Sequence, residues 1–274
     1  MRHVISDPED PRLEIFQGLR DHVLRQRRER DDDDTASGYF IAEGDVVVER
    51  AIRAGYRLQS IVIDGKRTKP FPDVITDEVP VYACEPNVLE RITGYHLHRG
   101  ALACFHRRPV PTADEILDGV RTLLVCEGVS NPTNMGVILR CGAALGVEAF
   151  VLDPTCCDPL YRRSGRVSMG EAFALPYARL EQFPDGLGVL RERGFRMLAL
   201  TPEADATDIS ELQLGSSEPV ALFVGAEGPG LTAGTLEAVH ERVRIPMSGT
   251  VDSINVGSAA AVAFFAVQQA RRNL

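Results

Sequence analysis

The chain has 274 residues, long enough for one large or two medium domains. Apolar residues make up 44% and charged residues 25%, and the net charge of −9 excludes a general nucleic-acid coat protein while leaving room for local basic patches. No apolar run reaches membrane-spanning length, the opening MRHVISDPEDPRLEIFQ has no leader-like apolar core, and the six cysteines form no C-x-x-C pair, so a reduced, cytoplasmic protein without membrane contact is expected.

In chain order, RQRRERDDDD (25–34) reads as an exposed turn. GYFIAEG (38–44) reads as a strand, and DVVVERAIRAG as a helix stopped at Gly55. LQSIVID (58–64) and VPVYACE (79–85) read as strands. PNVLERITG is a helix with Pro86 at its start and Gly94 at its end, and ALACFHR (101–107) is a strand. These elements make a smaller α/β domain over residues 1–106. HRRPVPTADEILDGVR carries two close prolines and a short polar helix pattern, and a linker is placed at 107–118.

The second domain, 119–274, opens on TLLVCEGV, a continuous apolar run suited to a strand buried on both faces. NMGVILRCGAALG follows as a helix ending at Gly146, then the strand EAFVLD. GLGVLRERG is a helix, FRMLALT and PVALFVGAEG are strands, and LTAGTLEAVH is a helix. The end of the chain, VRIPMSGTVDSINVGSAAAVAFF (243–265), runs from a strand broken at Pro246 into a long helix whose first turns are almost without bulk. Alternating strands and helices predict a parallel sheet with helices on both faces and ligands at the carboxyl ends of its strands.

Three polar loops lie at those ends. In FVGAEGPGL a buried strand delivers Gly225, Glu227, Gly228 and Gly230; it is neither a Walker loop nor a dinucleotide fingerprint. In SNPTNMGVILR, Asn134 stands at a helix N-cap position, with Arg140 six residues on, roughly on the same side. In the third loop Ser253 and Asn255 precede the last helix, whose exposed amides favour a negative group. Each loop alone is compatible with simple capping and turning.

Taken together, NPTNMGVILRCGAALG, LFVGAEGPGL and VRIPMSGTVDSINVGSAAAVAFF resemble the three ordered motifs of the SpoU/TrmH RNA 2′-O-ribose methyltransferases, within the SPOUT superfamily. The likeness runs from Leu123 to the C-terminus, and the upstream domain resembles the ribosomal-protein-like RNA-binding domain that often precedes it. The resemblance implies a parallel sheet closed by a deep trefoil knot, S-adenosylmethionine (AdoMet) as cofactor, no metal, and a homodimer with the last helix at its interface. It implies methyl transfer to a ribose 2′-hydroxyl of structured RNA, ribosomal RNA favoured over transfer RNA. Carried over by motif, Asn134, Arg140, Glu227, Ser253 and Asn255 form the catalytic set. Leu200, Thr201, Gly225, Gly230, Ile245, Met247 and Ile254 form the cofactor pocket. Gly257 stands where the family commonly has serine, and a local packing change is expected there.

Candidate RNA contacts are Arg99 and Arg107 in the first domain and Arg162, Arg163 and Arg166 after the strand EAFVLD. His96, His98 and Cys104 lack a second cysteine or metal-ligand spacing, so a basic edge is the preferred reading of that region. Two rivals stand beside the enzyme. A non-catalytic RNA-binding protein of the same fold is expected to lack Arg140, Glu227 or Asn255, and all three are present. A nicotinamide enzyme needs a fingerprint after the first strand that VCEGVSNPTNMG does not supply.

Overall fold

Alternation of apolar residues builds the first sheet. The computed structural model describes residues 2–18, 38–70, 78–94, 100–249 and 251–272. Strands β1 (Arg2–Ile5), β2 (Tyr39–Glu43), β3 (Leu58–Asp64), β4 (Val81–Cys84) and β5 (Ala101–His106) line up in the order β1-β4-β3-β5-β2. The first three in that order are parallel, and β5 runs antiparallel to β3 and β2. Successive side chains point to opposite faces. Ile61 and Ile63 therefore join Phe40, Phe105 and helix α1 (Asp45–Arg53), while Val62 joins Leu102 and helix α2 (Pro86–Thr93) on the other side. Burying each such side chain is worth about 1.5–3 kcal/mol. Gly94 ends α2 in the left-handed region, at φ 78°. Strand β1 and the 3-10 turn Pro11–Phe16 are absent from the sequence reading, although Leu13 and Phe16 are fully buried.

The chain divides into two compact units, Met1–Pro109 with Pro159–Ala174, and Val110–Asp158 with Leu175–Leu274. This differs from the expected boundaries in two places. Helix α3 (Ala113–Ile116), capped by Thr112 and Glu115, falls inside the expected linker, yet Ala113, Ile116 and Leu117 are buried in the second unit's core. The segment 159–174 leaves the second unit because Leu160 and Phe173 complete the apolar core of the first. Phe173 packs 5.2 Å from Phe40, ring centre to ring centre.

The second unit is a seven-stranded parallel sheet. After α3 come β6 (Thr122–Cys126), helix α4 (Pro132–Ala144) and β7 (Ala149–Leu152). Helix α5 (Arg162–Val167) belongs to the segment that joins the first unit. Then follow β8 (Tyr177–Arg179), helix α6 (Gly188–Glu192), β9 (Arg196–Leu200), β10 (Thr207–Asp208), β11 (Val220–Val224), helix α7 (Ala233–Ala238), β12 (Glu241–Arg244) and helix α8 (Val256–Arg272). The strand order is β10-β12-β9-β11-β6-β7-β8, with every neighbouring pair parallel. Helix α8 packs on α4. Phe264 of α8 lies against Gly142 of α4, where a Cβ would stand 3.5 Å from its ring. At its far end Arg271 donates to Thr122 Oγ1 (2.5 Å) and to the Arg121 and Glu218 carbonyls (2.6 and 2.9 Å), fastening α8 to the starts of β6 and β11.

Of the expected RNA-contact arginines, Arg162 is held against Glu43, and Arg166 donates to the same carboxylate at 2.8 Å. The Glu43 and Arg162 side chains are 10% and 15% exposed, whereas Arg166 is 61% exposed. Removing one partner of a buried pair leaves an uncompensated charge. Glu43→Ala is therefore expected to lower stability by about 3 kcal/mol in urea unfolding. Arg166→Ala is expected to cost about 1 kcal/mol or less in the same titration.

Candidate functional site

The loop after β11 is a tight reversal. Ala226 and Gly230 exchange two backbone hydrogen bonds of 3.2 and 3.1 Å, which leaves Glu227, Gly228 and Pro229 projecting. A Cβ on Gly225 would stand 2.3 Å from the Gly230 carbonyl carbon, so no other residue fits there. Gly228 and Gly230 turn the chain with φ of 90° and 73°. The buried Glu127 carboxylate, just past β6, accepts from Thr232 N (3.0 Å) and Thr232 Oγ1 (2.7 Å) and pins the end of the reversal.

A second fastening comes from Asn255, immediately before α8. Its Oδ1 accepts from Gly257 N at 2.9 Å and Ser258 N at 3.4 Å, so it caps the helix. Because the oxygen faces those amides, Nδ2 must face the acceptors. It donates to Asn134 Oδ1 at 3.1 Å and to Glu227 Oε1 at 3.0 Å. One amide thus joins α4, the β11 loop and α8.

The structure corrects two details. Asn131, not Asn134, caps α4, accepting from Thr133 N at 2.9 Å. Asn134 is a buried residue inside the first turn. Arg140 is exposed and does not share its side, because six residues at about 100° each rotate the side chain by roughly 240°. The structure brings Asn134, Glu227 and Asn255 together and does not bring Arg140 to them.

A cavity of about 550 Å³ opens at the carboxyl ends of β9, β11 and β12. Leu200, Thr201, Gly225, Gly230, Ile245, Met247 and Ile254 line it, together with Glu227, Ser253 and Asn255. Asp252, Val256 and Ala259, which the sequence reading did not single out, line it as well. The small Ala259 on the first turn of α8 brings the cavity close to the helix backbone. Gly257 faces the other way: a Cβ there would stand 2.7 Å from Val137 Cγ1. Among the described residues the lining carries two carboxylates, Glu227 and Asp252, and no lysine, arginine or histidine. Its field suits a ligand that joins an apolar body to positive charge, and it offers no cation to a phosphate.

The candidate RNA-contact residues are dispersed. Arg99, with His96 and His98, lies outside the described residues. Arg107 lies over Gly38, with its Nε 3.4 Å from the Tyr39 carbonyl. Arg163 and Arg166 are exposed. Cys104 is buried, and burial pushes its thiol up to about 12.

A parallel α/β domain with a glycine-lined pocket at the carboxyl ends of its strands belongs to a broad class of nucleotide-site enzymes. Comparison narrows the class. The model of the SpoU rRNA Methylase family matches residues 121–265, and that of an MRM3-like substrate binding domain matches residues 22–103. A protein of Mycobacterium tuberculosis named uncharacterized tRNA/rRNA methyltransferase Rv0881 is 43% identical over 263 residues, 95% of this chain and 90% of its own length. The 23S rRNA (guanosine-2′-O-)-methyltransferase RlmB of Ralstonia nicotianae is 33% identical over 66% of this chain and 74% of its own. The crystal structure of an RNA 2′-O ribose methyltransferase superposes with a TM-score of 0.79 at 28% identity, covering all of both chains. The chain belongs to the SpoU rRNA methylase family.

The contact between Gly257 and Val137 gives the departure at Gly257 a physical reason. Gly257→Ser is expected to cost about 1–3 kcal/mol by overpacking. Adding Val137→Ala is expected to return part of that loss in thermal unfolding, since the smaller neighbour makes room. Additive losses in the double variant would contradict the contact.

Proposed function

We propose that the protein transfers a methyl group from AdoMet to a ribose 2′-hydroxyl of ribosomal RNA. The observation that carries this reading is the pocket's charge. Two carboxylates and an apolar wall of Leu200, Ile245, Met247 and Ile254, with no basic residue among the described lining, match a nucleoside that bears a sulfonium and an ammonium. The same lining disfavours the nicotinamide alternative, whose pyrophosphate needs donors or positive charge. Membership of an rRNA methylase family and the likeness to RlmB support ribosomal RNA over transfer RNA.

The cofactor supplies a methyl group on a leaving group already activated by its positive charge. The protein's task is to hold the apolar nucleoside, align the ribose and settle the charge that develops on its oxygen as the methyl group arrives from sulfur and the hydroxyl proton leaves to solvent. In this reading Ile245, Met247 and Ile254 hold the adenine, and Leu200, Thr201, Gly225 and Gly230 present backbone to it. Glu227, fixed by Asn255, and Ser253 orient the ribose. Alignment of this kind supplies several kcal/mol of the barrier, roughly 7–11 in the best model reactions. Arg140, exposed on α4 and outside the pocket lining, offers its guanidinium to the RNA phosphates.

Further parts of the reading follow the family. The chain works in the cytoplasm as a homodimer, with the exposed Val262 and Phe265 of α8 covered by a second copy. The path from β12 through Pro246 to α8 is the knotted segment. Arg107, Arg163 and Arg166 contact RNA phosphates, with Arg99 of the region outside the described residues.

The test is methyl transfer from labelled AdoMet into unmodified ribosomal RNA, mapped by resistance of the labelled linkage to alkali. One labelled, alkali-resistant linkage is expected. Label on a base would refute the 2′-hydroxyl assignment, and label only in transfer RNA would redirect the substrate. Asn255→Asp keeps the helix-capping oxygen but removes both Nδ2 donations and sets a second negative charge beside Glu227. It is expected to melt below the parent, because the buried Asn134 oxygen loses its donor and two carboxylates face each other, and to lose about 100-fold in rate while still folded.

A further inference from the structure

The first unit contains its own cavity, about 670 Å³, within the range of small-ligand sites. Its floor is apolar. Val46, 45% exposed, and Met169, 37% exposed, both line it, and large apolar side chains so exposed are few among the described residues. Its rim is basic: Lys66, Lys69 and Arg166 line it.

The carboxylates in the lining are already engaged. Asp45 pairs with Arg67 (3.0 Å) and Lys69 (2.9 Å), Glu43 with Arg162 and Arg166, and Asp64 accepts from the Lys66 amide at 2.8 Å. Four cations, Lys66, Arg67, Lys69 and Arg166, face three carboxylates, Glu43, Asp45 and Asp64, which leaves the lining at +1 on a chain of −9.

Met169 is held there against its backbone preference. Its φ of 57° is the only positive value at a non-glycine among the described residues. Arg50 donates to the Met169 carbonyl at 2.7 Å and pairs with Glu171 at 2.6 Å, locking the turn. Gly170 follows at φ 89°, and a Cβ on it would meet the Arg50 side chain at 3.0 Å. A strained turn wedged against α1 to present a methionine to a cavity is a feature of binding sites rather than of packing.

We propose that this cavity takes one unstacked nucleotide of the RNA substrate, its base against Val46 and Met169 and its flanking phosphates on Lys66, Lys69 and Arg166. The inference rests on the reading above that the substrate is RNA. Proteins that read RNA by sequence mostly take splayed-out bases of loops and bulges onto apolar or aromatic surfaces, with Lys and Arg on the backbone. At about 670 Å³ the cavity is large enough for one base, and apolar and cationic side chains both line it.

The test uses the full chain and unmodified ribosomal RNA, with RNA affinity, AdoMet affinity and melting temperature measured together. Met169→Gly relieves the strained backbone, so it is expected to melt no lower than the parent while binding RNA about 10-fold more weakly. Val46→Asp, at an exposed site, is expected to weaken binding similarly. The double change Lys66→Ala with Lys69→Ala is expected to flatten the salt dependence of RNA binding. AdoMet affinity is expected to stay unchanged in all of them. Parent-like RNA affinity in Met169→Gly and Val46→Asp, with the parent chain binding RNA, overturns the nucleotide site alone. A parent chain that binds AdoMet but no RNA overturns both the site and the substrate reading.

Discussion

The catalytic unit depends on one side-chain amide. Asn255 faces two backbone donors with its oxygen and two side-chain acceptors with its nitrogen. Each of its bonds is modest in water, about 0.5–1.5 kcal/mol net. Their effect is geometric: they fix the start of α8, the direction of Glu227 and the buried Asn134 carbonyl in one arrangement. Asn134 is 6% exposed, so without its partner the acceptor would lose a hydrogen bond that water cannot readily replace. The other constraints serve that junction. Gly225 allows the reversal to fold back on itself, and Glu127 holds the far end of it.

The same junction explains why small residues crowd the start of α8. Gly257 lets α8 rest on Val137 of α4, and Ala259 leaves the cavity open at the helix backbone. Helix packing and ligand access are thereby solved on opposite sides of a single helical turn. At the other end of α8, Arg271 reaches three acceptors at the starts of the strands. The helix is thus fixed at both ends, and the loops that line the pocket are tied to it through Asn255.

Much of this was legible in the sequence where the signal was local. Glycine stops at Gly55 and Gly94 and continuous apolar runs such as TLLVC gave element type and order, because helix ends and doubly buried strands have local chemical signatures. The motif residues around the pocket were legible as a set, through family likeness. What escaped was non-local. Strand β1 is four residues long, with a mixed pattern that only pairing to β4 makes a strand. Leu160 and Phe173 belong to the first unit's core, although more than fifty residues separate them from it in sequence. Arg162 carries no local sign of its pairing with Glu43, which lies 119 residues away in sequence. The six-residue spacing from Asn134 to Arg140 is about 600° of helical rotation, which sets the two on different faces, and Glu127 carries no signal beyond its place at a strand end.

The central claim is that the pocket organised by Asn255 and Glu227 holds a cationic nucleoside. Calorimetric titration of the full chain with AdoMet, and separately with NAD and AMP, tests it most directly. The account predicts one AdoMet per chain at micromolar affinity, and no measurable binding of either phosphorylated nucleotide at the same concentrations. Binding of NAD or AMP as tight as that of AdoMet, or no uptake of AdoMet by the folded protein, would contradict it.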